Sequence, residues 1–172
     1  NIALIGGLGF LGNRLSERLK ISKIKHTIFD RKYSKNSENF LDVTNLESLN
    51  KLKGKDVIIN LAAVHRDDVR PLSLYDDVNV GGAENICLAA EKFGINKIIF
   101  TSSVAVYGFA PPNSNENAEI NFFNDYGRTK FLAEKVFEKW YLSNPKERTL
   151  IIIRPTVIFG EGNRGNVFNL LR

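Results

Sequence analysis

Gly6-Gly7-Leu8-Gly9-Phe10-Leu11-Gly12 stands between an apolar run, Ile2 to Ile5, and a segment from Phe10 to Leu19 whose apolar residues recur at helical spacing. A glycine-rich turn acquires chemical meaning when it joins a strand to a helix in this way. Glycine tolerates positive φ, lets the main chain approach a pyrophosphate, and lets the helix close on the strand. The free N–H groups and the positive end of the helix dipole then hold phosphate. The same pattern also serves as a plain tight connection. Asp30 ends the next apolar run about 20 residues on, where a carboxylate accepts hydrogen bonds from the adenosine ribose hydroxyls. Gly6, Gly9, Phe10, Leu11, Gly12 and Asp30 together thus indicate a dinucleotide site. A carboxylate there repels a ribose phosphate and favours NAD over NADP, although the neighbouring Arg31 can pair with such a phosphate.

Beyond this unit, short apolar runs keep alternating with longer amphipathic ones, the pattern of a parallel sheet with crossover helices. The expected strands are Ile2 to Ile5, His26 to Asp30, a short one near Phe40, Val57 to Leu61, Lys97 to Thr101 and Leu150 to Arg154. The expected helices are Phe10 to Leu19, Leu46 to Lys51, Leu72 to Phe93 and Asp125 to Leu142. The expected fold is therefore α/β, a doubly wound parallel sheet of the Rossmann type. Polar loops span Lys32 to Asn39 and Phe109 to Phe123; neither reads as a domain linker, and no internal repeat is present.

The chain's 172 residues fit one domain, and 43% hydrophobic with 25% charged residues excludes a disordered chain. The formal charge of +5 is spread along the chain, which argues against a nucleic-acid or membrane partner. The single cysteine, Cys87, permits no internal disulfide, makes a metal cluster unexpected, and suits a reducing cytoplasm. No apolar run reaches the length of a membrane helix, and no basic leader precedes the first strand. The chain lacks methionine, begins at Asn1, and ends just after starting a helix at Val167. Residues 1–172 are accordingly expected to be an NAD(P)-binding domain whose last helix looks unfinished, as a fragment, a chain with a disordered remainder or a naturally short protein. The family resemblance given below implies a C-terminal substrate segment beyond it, without which the chain is expected to bind NAD but turn over poorly.

Tyr126-Gly127-Arg128-Thr129-Lys130 places a phenol and an ammonium four residues apart at the start of a helix, on one face. Asn124 or Asp125 can cap that start. Such a pair is also common on helix surfaces. Its setting gains weight from Thr101-Ser102-Ser103 at the carboxyl end of a strand, where open parallel sheets place ligands. A phenol titrates near 10, and bringing it to about 7 requires roughly 4 kcal/mol. One unit charge at about 4 Å and an effective dielectric of about 20 supplies that much. Lys130 and a bound oxidised nicotinamide are the two candidates. Ser103 would hydrogen-bond the reacting oxygen during proton transfer.

With these residues the chain resembles the extended short-chain dehydrogenases/reductases, in particular their NAD-dependent epimerase/dehydratase branch. The likeness runs through Gly6 to Gly12, Asp30, Asp42-Val43, Asn60-Leu61-Ala62-Ala63, Val78-Asn79-Val80, Ser102-Ser103 with Val106-Tyr107-Gly108, Tyr126 to Lys130, and Arg154-Pro155. The resemblance implies Ser103, Tyr126 and Lys130 as the catalytic group of a nucleotide-sugar epimerase or ketoreductase. It further implies that Asp42 and Val43 face the adenine and that Leu61, Ala62 and Ala63 line the dinucleotide. Asn79 would support the site, Thr101 and Ser102 would border the cofactor, Lys130 would bond the nicotinamide ribose, and Pro155 with Thr156 would pass near its carboxamide. Read without the resemblance, Asp42 forms a turn, and Leu61 and the alanines are core.

Departures from the family pattern narrow the chemistry. Val104 and Ala105 stand where dehydratases carry an acidic pair, which disfavours dehydration. Val157 stands where many relatives have an Asn that touches the nucleotide-sugar. His65-Arg66-Asp67-Asp68 and Arg70 read as surface salt bridging or as contacts to a substrate diphosphate. The turn Gly160 to Asn166 reads as a loop or as a substrate contact. A homodimer is implied, through Leu72 to Phe93 and Asp125 to Leu142, with Phe131, Phe137 and Trp140 as apolar candidates, although packing on the sheet would use the same residue types. The rival readings are a reductase of a non-sugar alcohol or ketone and a catalytically silent dinucleotide-binding module.

Overall fold

A computed structural model describes residues 1–66, 68–163 and 166–170. Its centre is a five-stranded parallel sheet in the order β2-β1-β3-β4-β5, formed by β1 (Ile2–Ile5), β2 (His26–Phe29), β3 (Val57–Asn60), β4 (Lys97–Thr101) and β5 (Thr149–Ile153). The helices are α1 (Phe10–Ile21), α2 (Ser73–Tyr75), α3 (Gly82–Phe93), α4 (Asp125–Leu142) and α5 (Asn166–Leu170). The middle strands are nearly continuous apolar runs because both of their faces are covered. Ala3 and Leu4 of β1, Ile58 of β3, and Ile98 and Phe100 of β4 are all at most 1% exposed.

Strand order reverses between β1 and β3. Right-handed crossovers leaving in opposite directions place α1 on one face and the segment Leu46–Leu52, α3 and α4 on the other. The crevice at the carboxyl ends of β1 and β3 is therefore the topological switch point, where such sheets bind ligands. On the edge strand β5, Leu150 and Ile152 pack into the core, whereas Ile151 and Ile153 are each 47% exposed.

Four expectations are refined. The strand near Phe40 is a single parallel bridge from Asp30 to Phe40. Leu46–Leu52 is a 3-10 helix, started by Asn45 accepting from the Glu47 N–H. The long helix is interrupted by a π-helical turn, Asp76–Gly81, between α2 and α3; such bulges gather at functional sites. Phe137 and Trp140 are 0% and 4% exposed, so they are core under α4 and not interface residues. The expected helix from Val167 is seen as α5, while Arg172 and the Asp67, Arg164 and Gly165 positions of the two polar turns lie outside the described residues. No helix among the described residues is long and apolar enough to cross a membrane.

Candidate functional site

The carboxyl ends of β1, β2 and β3 meet at the glycine turn. Gly6 has a φ of +76°, and a Cβ there would lie 2.7 Å from the Ala62 nitrogen, so the turn rests directly on Leu61 and Ala62. A Cβ on Gly12 would lie 2.5 Å from the Gly7 Cα, which is how α1 closes against the turn. Gly9 caps α1 without a side-chain hydrogen bond, leaving the first N–H groups to main-chain partners or a ligand. Asp30, 7% exposed, accepts from the Leu8 N–H at 3.0 Å on one carboxylate oxygen and from the Lys32 N–H at 3.0 Å on the other. Each oxygen retains a further lone pair for a hydroxyl. Arg31 is exposed beside it. Phe10 and Leu11 form the first turn of α1. The segment after β5 returns to this region, with Arg14 donating to the Glu161 carbonyl at 2.9 Å and Gly160 lying against the Phe10 ring.

Around this turn the expected lining residues differ in what they offer. Asp42 Oδ1 accepts from both the N–H and the hydroxyl of Thr44, at 3.0 and 2.8 Å, which is the turn-forming arrangement. Val43 is 5% exposed and its side chain packs on Gly82, so only its main chain is left for a ligand. Leu61, Ala62 and Ala63 follow β3 and are half-buried. Arg66 pairs with Asp68 at 2.6 Å, both exposed, in keeping with the surface reading of that turn.

Asn79, in the π-helical turn, is 4% exposed. Its Oδ1 accepts from the Val64 N–H at 2.8 Å, and its Nδ2 donates to the Val64 carbonyl at 3.0 Å and to the Thr129 hydroxyl at 2.9 Å. It therefore acts on the site by tying the chain after β3 to α4, its own polar atoms being engaged within the protein.

Ser103, Tyr126 and Lys130 come from the end of β4 and the start of α4. Ser103 caps a 3-10 turn, Val104–Tyr107, its Oγ accepting from the Ala105 N–H at 3.1 Å. Asn124, rather than Asp125, caps α4, accepting from the Gly127 N–H at 2.8 Å. Gly127 is the contact point: a Cβ there would lie 2.4 Å from the Ala105 carbonyl oxygen. This approach of α4 to the 3-10 turn brings the Ser103 side chain to the Tyr126 phenol. Burial raises the phenol above its ordinary value of 10, with the nearby Ser103 side chain opposing the rise.

Lys130 departs from expectation. It is 2% exposed, with Nζ 4.2 Å from the centre of the Phe100 ring. Burial pushes its ammonium down to about 7, with Glu134 opposing. Lys130 is not among the groups that shift the phenol. Spacing along the helix places both residues on one face, but that face lies against the sheet, and desolvation of the amine outweighs its charge.

Thr101 ends β4 in register with Ile153. Ser102 donates its N–H to the Ile153 carbonyl at 2.7 Å, and its hydroxyl, in a residue 2% exposed, has no hydrogen-bond partner among the described residues. The Pro155 carbonyl accepts from the Val104 N–H at 3.1 Å, placing Pro155 beside Ser103.

Residues to which the sequence assigned no role in the chemistry also shape the site. Glu134, 0% exposed, accepts from Arg154 Nε at 2.9 Å and Nη2 at 2.7 Å. Arg154 also donates to the Tyr107 hydroxyl and to the Glu116 carbonyl. Arg128 pairs with Asp76 of the π-helical turn at 2.9 and 2.7 Å, and with Asp125. Glu134 was legible as one more i,i+4 step from Lys130; its partner was not, because Arg154 lies 20 residues away in sequence.

The model of the NAD dependent epimerase/dehydratase family matches residues 2–171. Over its full length the chain is 49% identical to the N-acetyl-alpha-D-glucosaminyl-diphospho-ditrans,octacis-undecaprenol 4-epimerase of Escherichia coli O157:H7, of which it covers 53%. It is 28% identical to the UDP-glucose 4-epimerase of Vibrio cholerae, again over the full chain and 56% of that protein. Among solved structures it resembles MoeE5 in complex with UDP-glucuronic acid and NAD, with a TM-score of 0.84, 23% identity, and coverage of 98% of this chain and 58% of that one. That likeness speaks to the fold. The chain spans about half the length of the curated relatives it matches.

Proposed function

The chain belongs to the NAD dependent epimerase/dehydratase family, and from that premise we propose that its protein is an NAD-dependent epimerase of a sugar carried on a diphosphate, with residues 1–172 as the dinucleotide-binding domain. The observation that carries the reading is the juxtaposition of Ser103 and Tyr126 across the Gly127–Ala105 contact, at the end of the sheet that also holds the glycine turn. NAD fits the residues present on two counts. The glycine turn rests so closely on the Leu61 and Ala62 backbone that no side chain fits at Gly6, and the buried Ser102 hydroxyl is free to take a partner.

Gly6 to Gly12 would hold the pyrophosphate, Asp30 the adenosine ribose, and Thr101, Ser102 and Pro155 would border the nicotinamide end. The Asp30 carboxylate supports NAD over NADP, since a phosphate beside it would be repelled. When bound, NAD supplies the hydride acceptor and a positive ring charge. Tyr126 takes the proton of the sugar alcohol and returns it, while Ser103 holds the same oxygen in line. In the ligand-free chain burial leaves the phenol protonated and Lys130 poised near 7, so neither residue by itself makes the base. Lys130 adds its charge as pH falls through that range.

The carrier is read as a nucleotide, after the UDP-glucose epimerases. A polyprenyl diphosphate is the second reading, favoured by the 49% identity to an enzyme named for an undecaprenyl-linked sugar. Both present the same sugar diphosphate. A homodimer through α3 and α4 is also proposed, now resting on Leu88 and Leu132, 52% and 38% exposed; sedimentation giving only monomer at micromolar concentration counts against it.

The test is epimer interconversion by the purified protein on UDP-N-acetylhexosamine and on the polyprenyl-linked sugar, beside its Tyr126→Phe variant. Turnover is expected on one carrier and should fall by roughly 10²-fold or more in the variant, with NAD affinity unchanged. Full activity in Tyr126→Phe, or no interconversion on either carrier, overturns the proposal.

A further inference from the structure

Beneath the catalytic face of α4 lies a buried ion pair that the proposed reaction does not use. A fully buried carboxylate with a bidentate guanidinium partner adds little net stability, because desolvation offsets the attraction. The pair's position gives it another role. Glu134 lies one helical turn beyond Lys130 on the same side of α4, and both are buried. Among the described residues, no carboxylate lies within ion-pair distance of Lys130, whose charge instead faces the Phe100 ring.

Arg154 draws both oxygens of Glu134 toward the end of β5. Arg154 in turn adjoins Pro155, whose carbonyl holds the residue after Ser103, and contacts Tyr107, the last residue of the turn that Ser103 caps. One ion pair thereby joins α4, the exit of β5 and the Ser103 turn.

We propose that Glu134 and Arg154 are positioning residues for the Ser103, Tyr126 and Lys130 group: Glu134 supports the Lys130 ammonium, and Arg154 limits that support while anchoring the helix to the Ser103 turn. The charges on neighbouring elements leave this role to the pair. Asp76 of the π-helical turn is held by Arg128, and Glu91 of α3 by Arg148. From β4 the Phe100 ring lies against the Lys130 ammonium, and on α4 itself Glu134 is the charge that acts on Lys130. The role in catalysis rests on the reaction proposed above; the effect on Lys130 does not.

The experiment follows the Lys130 side chain in the cofactor-free protein, by the pH dependence of its ¹³Cε resonance in lysine-labelled material, assigned by its loss in Lys130→Arg. Glu134→Gln should lower the titration midpoint by at least about one pH unit. Arg154→Met, which leaves the carboxylate to Lys130, should raise it. Opposite directions set this role apart from mere loosening, which would move both variants the same way. Should Glu134→Gln not fold, the double variant Glu134→Gln/Arg154→Met replaces it and must titrate below Arg154→Met. Unchanged midpoints, or shifts of one sign, overturn the proposal. Because no turnover is measured, that outcome is distinct from failure of the epimerase reading.

Discussion

At Gly6 and Gly12 the glycine turn packs backbone against backbone with no room for a side chain, whereas at Lys130 and Glu134 ionisable side chains are themselves packed into the core. At Gly6 and Gly12 an added Cβ would meet backbone atoms at 2.7 and 2.5 Å, and backbone cannot step aside. At Lys130 and Glu134 the atoms are accommodated: both are 2% exposed or less, and the cost falls on the Lys130 charge, which burial disfavours and Glu134 supports. The first region is fixed by shape. In the second, burial draws the Lys130 ammonium down to about 7.

The contrast is tested most severely by Gly12→Val, which should cost about 4 kcal/mol or more and leave little folded protein, since the added atoms meet the Gly7 backbone. A denaturation midpoint close to the parent's would mean that the shape argument is wrong. Lys130→Met should act in the opposite direction. The native amine titrates near 7 against an ordinary 10.5, so between these values unfolding takes up a proton and stability climbs with pH. Below about 7 the native state carries the full penalty of the buried charge. Removing the amine should therefore stabilise the protein at pH 6 by on the order of 3 kcal/mol, and much less at pH 9.5, in paired urea titrations. Equal gains at both pH values would mean that packing rather than charge governs the site.

Two smaller effects grade the region between. Asn79→Leu leaves the Val64 N–H without its acceptor and the Thr129 hydroxyl without its donor, and should cost about 2 kcal/mol. Hydrogen exchange at Val64 should rise with it; unaltered protection there would remove the strut from the account. Asp76→Asn weakens a half-exposed pair with Arg128, for which about 0.5 to 1 kcal/mol is expected, declining as salt is added. A loss that salt leaves untouched would make the π-helical turn, rather than the charge, its source.

The parallel α/β sheet, the glycine turn on its first strand, Asp30 at the end of the second, and Tyr126 and Lys130 on one side of α4 were all legible from residue type and spacing. Each rests on a local rule: apolar period, a turn that only glycine tolerates, or a cap and a pair one helical turn apart. Lys130 shows where such rules stop. Its place on the Tyr126 face follows from helical spacing, but its charge state follows from which face α4 turns to the sheet, and that depends on Phe137 and Trp140 of α4 packing on a core that includes Phe100, from a strand distant in sequence. The bulge around Asn79, the Arg154–Glu134 pair and the core role of Trp140 are of the same kind. Periodicity says which residues share a side of an element, while the low dielectric that reverses a lysine's preference exists only once the elements have closed over it.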